Sequence, residues 1–383
     1  MGTEAEVIVV GSGPAGTAAV LDLVRAGHDV LWLDRLPGAR PKPCAGGLTP
    51  KAAARLRADV SPVVRERTSV IRMSWRGYRA SDFRGSDDVC LLTHRPELDD
   101  WHRGLACAAG AVITPVRRLL RLRQDTQGVS LTVLDERDTV CTWRARWLIA
   151  ADGAHSPVRR LVLGQGAVPV AVALEGLLAR DACRRWPGMQ FDFGEVAGGY
   201  GWLFPKGDHV NVGLYCWHPG VTLGQPQLLD YARRTLGSDA LTDIQGYPIA
   251  THGDQLPLSA GRVLFAGDAA GLAEPLLGEG IYGALLSGQQ AAAAVLNEDA
   301  ASVYARQMAR WRLELRHTRQ ITRLFYGTLP LAFGVLTHLL KSPLMEGAAA
   351  GLTLVQSKRR WLTAAAARAS SPACSQTSGG RRD

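Results

Sequence analysis

At 383 residues, 46% hydrophobic and 21% charged, the chain is long enough for one large globular domain and a second. Its net charge of +9 is dispersed, mostly as arginine, which favours phosphate-bearing ligands or anionic lipid; no nucleic-acid motif accompanies it. Seven widely spaced cysteines without a Cys-x-x-Cys pair argue against a disulfide scaffold, a zinc site or an iron–sulfur domain, and for a reducing compartment.

The first element is a short apolar β-branched strand, Val7 to Val10, followed by Gly11-Ser12-Gly13-Pro14-Ala15-Gly16. A helix from Thr17 to Ala26, stopped by Gly27, leads to a second strand, Asp29 to Leu33, and then to Asp34 with Arg35 beside it. Strand, glycine turn, helix, strand and acid make up a dinucleotide-binding βαβ unit. In such a unit Gly11 permits the tight turn, Gly13 lets backbone N–H groups approach a pyrophosphate, and Gly16 lets the helix pack on the strand. Asp34 lies where a carboxylate accepts from ribose hydroxyls.

Arg35 to Leu48 is a Pro- and Gly-rich loop carrying Lys42-Pro43-Cys44-Ala45-Gly46-Gly47-Leu48, and Thr49 or Pro50 opens a helix to about Arg57. Strands are predicted at Val70 to Tyr78 and Val89 to Leu92. Arg95 leads into a helix over Leu98 to Ala109, and a strand begins at Val112-Ile113, its apolar pattern continuing through Val116, Leu119 and Leu122. A hairpin follows from Leu131 to Trp143 around Asp135 to Asp138. A buried strand, Trp147 to Ala151, then runs into Asp152-Gly153, a turn that faces a ligand or is an ordinary β-turn.

From about 168 to 255 the pattern is mostly strand, with one helix at Gln227 to Leu236. Alternation sets Tyr200, Trp202 and Phe204 on one face of a strand, fit to line an apolar cavity or to fill a sheet core. Lys206 follows, either a solvated loop lysine or a group that attracts a substrate phosphate. The last strong strand, Arg262 to Ala266, ends in Gly267-Asp268 and then Pro275 to Ile281, before a small-residue helix from Ile281 to Leu296. An acid at a strand end followed by a helix N-terminus suggests a second contact with one extended cofactor. Ser302 to Phe325 and Leu329 to Leu340 are helical, His317 and His338 have no metal-spaced partner, and Ser370 to Asp383 has a disordered composition.

The three nucleotide-facing segments resemble the FAD-dependent oxidoreductases of hydroxylase-type, glutathione-reductase-like fold. Within that group, Lys42 to Leu48, Tyr200 to Gly207 with Asn211-Val212-Gly213, and Pro275 to Ile281 resemble the geranylgeranyl reductase family. The resemblance covers roughly residues 5 to 300. One departure is Ala45, where the related loop often has glycine; its methyl is tolerated if φ is negative. The resemblance implies an α/β fold with a Rossmann-like FAD-binding domain, an inserted β-sheet substrate domain and a helical C-terminal region. The boundaries expected are 1–66, 93–166 and 256–300 for the first, 67–92 and 167–255 for the second, 301–369 for the third, and a tail at 370–383.

The resemblance also implies that Ala15, Asp34, Cys44, Ala45, Gly47, Arg95, Leu119, Asp268, Gly280 and Ile281 contact FAD. Gly11, Gly13, Gly16, Arg35, Asp152, Gly267 and Gly278 complete the cofactor framework. The activity implied is saturation of C=C bonds in a polyprenyl chain held by Tyr200, Trp202, Phe204 and Lys206, with NADPH or another external electron donor. Cys44 is the candidate proton donor or positioning group. Two alternatives stay open: a flavin monooxygenase on the same scaffold, and a non-catalytic FAD- or prenyl-lipid-binding protein. No signal peptide and no uncharged apolar run of about 18 residues are seen, so a cytoplasmic protein is expected, with a peripheral membrane contact through Leu329 to Arg360.

Overall fold

A computed structural model describes residues 4–35, 43–164, 170–218, 220–338, 341–353, 355–357, 359–360 and 363. Lys42, the first residues of the strand expected from Val168, and the tail expected from Ser370 lie outside the described residues.

The apolar run at the start forms the strand Glu4–Val10, which lies between Val30–Asp34 and Val140–Ala150 and is parallel to both. Val263–Phe265 extends the sheet in the same direction. Where they pair in parallel at the core, residues 7–10, 147–150 and 263–265, these strands are continuously hydrophobic, as strands covered on both faces are. The helices Pro14–Arg25, Arg95–Ala108 and Ile281–Val295 join this layer, the first packing on the other two. Carboxyl ends of three strands therefore converge. The Ala151 N–H donates to the Val10 carbonyl (2.8 Å) and the Ala266 N–H to the Ala150 carbonyl (2.9 Å), so the turns at Gly11, Ala151 and Gly267 adjoin.

A second seven-stranded sheet runs in the order Thr242–Ala250, Val170–Ala179, His209–Cys216, Gly199–Pro205, Gln190–Phe193, Val70–Trp75, Tyr78–Arg84. Three short strands, Gly47–Leu48, Cys90–Thr93 and Val64–Thr68, form a third sheet in the order 47–48, 90–93, 64–68. The long helix Ala300–Gly327 sends Phe325 into the aromatic core of the second sheet, where Leu329 and Phe333 of the helix Leu329–His338 join it. Among the described residues no helix is long and apolar enough to cross a membrane.

Several predicted boundaries move. The single strand expected over Val70 to Tyr78 is a hairpin, because Arg76 and Gly77 take left-handed φ values of 50° and 72° and reverse the chain. The strands expected separately at Val140 and Trp147 are one, Val140–Ala150. Its first half pairs antiparallel with Val129–Asp135 and its second half parallel with Glu4–Val10. Val64–Thr68, rich in Arg and Glu, and Thr242–Ala250 form strands without a strong apolar signal. The helix after Thr49 ends at Ala53, short of Arg57.

Candidate functional site

The converging strand ends open on a cavity of about 730 Å³ that runs from the Gly13-Pro14-Ala15 turn to the C-terminal helices. That volume is in the range of small-molecule and cofactor sites. One wall of it is made by the glycine turn. A Cβ on Gly11, whose φ is +106°, would sit 2.3 Å from the Ala151 carbonyl oxygen, and one on Gly16 would sit 2.0 Å from the Gly11 oxygen. Gly13, by contrast, faces open space. The turn is thus closed toward the sheet and bare toward the cavity, the arrangement that lets backbone N–H groups meet a pyrophosphate. Asp34 is buried and bonded to the Ser12 hydroxyl, at the end of its strand opposite Pro115. Leu119 lies four residues further along that neighbouring strand, packed against the core.

A second helix N-terminus enters at Gly280–Ile281, with the Ala284 N–H closing the first helical bond on the Gly280 carbonyl. The preceding segment, Glu274 to Glu279, is clamped by three tyrosines from three elements, two buried and Tyr326 half-buried. The hydroxyls of Tyr215, Tyr326 and Tyr200 donate to the carbonyls of Pro275 (2.7 Å), Leu276 (2.8 Å) and Leu277 (2.6 Å). Lys51 forms a salt bridge with Glu279, and the Thr49 hydroxyl donates to the same carboxylate at 2.5 Å. Burial alone would lower the Lys51 ammonium, but Glu279 more than offsets it.

Across the cavity, Phe191, Tyr200, Trp202 and Phe204 form a wall of edge-to-face and tilted rings, Phe191 standing 5.3 and 5.4 Å from Tyr200 and Phe204. The tight packing depends on Gly213 of the neighbouring strand, where a Cβ would lie 2.0 Å from the Trp202 ring. The Trp202 Nε1–H donates to Asn211 Oδ1 at 2.7 Å, and Asn211 bonds Glu175 in turn. Glu175 accepts the Cys44 backbone N–H at 2.7 Å. A chain of hydrogen bonds therefore connects the aromatic wall to the cysteine loop. The Cys44 sulfur accepts from the Gly46 N–H at 3.4 Å and faces Arg95, whose guanidinium grips the buried Asp99 through two bonds of 2.9 and 3.2 Å. Ala45 is not among the left-handed residues; Gly46 takes that conformation, so the methyl at 45 fits.

Of the residues predicted from sequence, Gly13, Ala15, Cys44, Ala45, Gly47, Arg95, Gly267, Asp268, Gly278, Gly280, Ile281, Tyr200, Trp202 and Phe204 line this one cavity. Gly11, Gly16 and Asp34 stand behind its wall, and Arg35 is exposed at its strand end. The Asp152 carboxylate turns into its own loop, accepting from the Ser156 hydroxyl (2.6 Å) and the Val158 N–H (2.8 Å), and Gly153 reaches the cavity in its place. Lys206 is not a solvated loop lysine. It is 1% exposed, behind Gly46, where burial pushes its ammonium down and Glu175 pulls it back up. Burial likewise raises Glu175, opposed by Lys206. Sequence reading missed Glu175, Lys51, Glu274 and Glu279; the only signal was an acid within an apolar strand, Ala173 to Leu177, and acids within a glycine loop.

The FAD binding domain family matches residues 4–169. The chain is 33% identical over 340 residues to the menaquinone reductase of Mycobacterium tuberculosis, covering 80% of each. It is 31% identical over 302 residues to the geranylgeranyl diphosphate reductase of Rhodobacter capsulatus, covering 76% of this chain and 75% of that one. Among solved structures, a geranylgeranyl bacteriochlorophyll reductase-like protein of Thermoplasma acidophilum superposes with a TM-score of 0.74 at 21% identity, over 94% of this chain and 99% of that one, and so shares the fold.

Proposed function

Because the chain belongs to the geranylgeranyl reductase family of FAD-dependent oxidoreductases, we propose that it saturates C=C bonds in the polyprenyl chain of a lipid. The observation that carries the reading is the single cavity joining a bare glycine turn to an aromatic, otherwise apolar wall. FAD fits the residues present. Gly11 to Gly16 and Asp34 would hold its adenosine and phosphate portion, and Asp268, Gly280 and Ile281 the remainder, with Cys44, Ala45 and Gly47 against it. When bound, FAD supplies the two electrons of the reduction, reloaded by NADPH or another external donor.

The chain's own residues do the rest. The rings of Tyr200, Trp202 and Phe204 bind the prenyl chain without polar contacts; each methylene removed from water contributes about 0.8 kcal/mol. Their packing also excludes water from the reacting carbons. Cys44, in a loop fixed between Glu175 and Arg95, positions the alkene. Menaquinone and geranylgeranyl diphosphate, which the relatives' names mention, share a polyprenyl chain, which supports that substrate class.

At the far end of the cavity Leu324, Leu331 and Val335 are both lining residues and exposed to solvent, with Arg323 exposed beside them. A lipid leaving a bilayer would meet this apolar rim first, so peripheral membrane contact through the helices after Ala300 is part of the proposal. The test is incubation of FAD-loaded, reduced protein with geranylgeranyl- and menaquinone-type lipids, followed by mass spectrometry. Products heavier by two hydrogens per bond support the reading. Products carrying added oxygen would point to a monooxygenase instead.

A further inference from the structure

Saturating an isolated alkene needs a proton as well as a hydride, and the cavity wall contains few groups able to hold one. Of the titratable side chains that line it, Lys51 and Glu279 are bonded to each other, Arg95 is bonded to Asp99, and Glu314 accepts the Thr353 hydroxyl at 2.7 Å. Burial raises Glu175 as well, but its carboxyl is committed to the cysteine loop, accepting the Cys44 N–H at 2.7 Å and bonding Asn211. The Cys44 sulfur is an acceptor, from Gly46 and toward Arg95. The hydroxyls of Tyr200 and Tyr215 already donate to backbone carbonyls, the Cys90 thiol is directed at the Leu91 carbonyl, Tyr247 has a partner of its own, and Asp268 is assigned above to holding FAD.

Glu274 differs from all of these. It lines the cavity at the start of the tyrosine-clamped segment, six residues before the helix N-cap at Gly280. Its carboxyl is held in place through both oxygens, Oε1 accepting from the Leu276 N–H at 2.7 Å and Oε2 from the Leu277 N–H at 2.9 Å. The Tyr200 hydroxyl is close enough to feel the charge of both Glu274 and Cys44, and all three line the one cavity. The cation nearest in effect on Glu274, Lys51, is already bonded to Glu279. We propose that Glu274 is the general acid of the reaction, delivering its carboxyl proton to the alkene carbon that does not receive the hydride.

This rests on the reductase reading above. In the balanced step, one alkene carbon would receive the hydride that reduced FAD would supply, the Glu274 O–H breaks, and its proton forms the second new C–H bond. The resulting carboxylate is reprotonated from solvent through the cavity. Burial, opposed by the Leu277 and Leu276 N–H groups, pushes the Glu274 carboxyl up to about 7, which leaves a large share protonated at neutral pH, where a general acid works best.

The test compares wild type with Glu274→Gln and Glu274→Asp. In the ligand-free protein, difference infrared spectroscopy should show a protonated-carboxyl band that disappears as pH rises through about 7 and is missing from Glu274→Gln. In a single turnover, FAD-loaded and chemically reduced enzyme is mixed with a geranylgeranyl lipid. Glu274→Gln should bind FAD as wild type does and reduce the alkene at least 10²-fold more slowly, the usual size of general-acid catalysis. It should also lose the wild-type fall in rate above pH 7. Glu274→Asp should recover part of the rate together with that pH limb. A Glu274→Gln enzyme with wild-type rate and pH profile, or a carboxyl band that does not titrate near 7, would overturn the assignment. Wild-type enzyme that reduces no prenyl alkene would instead bring down the reductase reading, and this proposal with it.

Discussion

Replacing Gly213 with alanine should damage the aromatic wall while leaving the FAD turn intact. The new methyl would sit 2.0, 2.3 and 2.4 Å from three atoms of the Trp202 indole, against about 3.5–4.0 Å for an ordinary carbon contact. The indole must therefore retreat by about 1.5 Å, and the direction left open to it is the cavity. Overpacking of this kind costs about 1–3 kcal/mol. Loss of the 2.7 Å Trp202–Asn211 bond adds about 1 kcal/mol. The total is about 2–4 kcal/mol. With an unfolding entropy of about 2.1 cal/mol/K per residue, a cooperatively unfolding chain of 383 residues loses about 3–5 °C in Tm. The displaced ring also removes space worth about two methylenes of bound chain, roughly a tenfold loss in affinity for a long prenyl ligand. Differential scanning calorimetry and tryptophan-quenching titrations with a prenyl lipid measure the two effects, and flavin absorbance checks cofactor content. An unchanged Tm together with unchanged prenyl affinity would refute the claim that Trp202 packs tightly against this strand.

Cys44→Ser should keep its FAD and lose most alkene reduction; full activity at unchanged flavin content would remove Cys44 from the chemistry. Arg95→Met leaves Asp99 buried without its guanidinium, and should cost about 3–5 kcal/mol in chemical denaturation. Asp99→Asn in the same background should return part of that loss. The Glu274 carboxyl also predicts a pH effect on stability. Its folded value of about 7 lies above the unfolded value of about 4.3, so the folded state holds the extra proton between them. Stability from this group is present below pH 4 and is lost as pH rises through 7, and Glu274→Gln should flatten that part of the Tm–pH curve. Changing Leu324, Leu331 and Val335 together to serine should weaken co-sedimentation with anionic liposomes while leaving reduction of a short, soluble prenyl alcohol unchanged.

Features encoded in local pattern were legible in the chain. The bare turn at Gly13, the strand ends at Asp34, Ala151 and Gly267, and the one-faced aromatic set at Tyr200, Trp202 and Phe204 follow from glycine sterics and strand alternation. The nucleotide-binding order of strand, turn and helix made the fold class readable as well. Features created by long-range contact were not. Lys206 follows a proline and precedes Gly207-Asp208, which reads as a solvated turn, yet the cysteine loop 160 residues earlier covers it. Glu175 interrupts an apolar strand, and its reason is the backbone N–H of Cys44, distant in sequence. The Tyr215, Tyr326 and Tyr200 clamp joins three elements on the Pro275 to Leu277 turn, and no spacing within one segment could announce it. The hairpin at Arg76-Gly77 was hidden for a local reason: arginine is an unusual residue for a left-handed turn position.

The central claim is that one cavity brings a reduced flavin against a polyprenyl chain. Its most direct test is anaerobic single-turnover mixing of the reduced, FAD-loaded protein with a geranylgeranyl lipid, followed by flavin absorbance and by mass spectrometry of the lipid. The account predicts reappearance of oxidised flavin in step with lipid that has gained two hydrogens per bond. Flavin that stays reduced beside an unaltered lipid, while oxygen alone reoxidises it, would contradict the account.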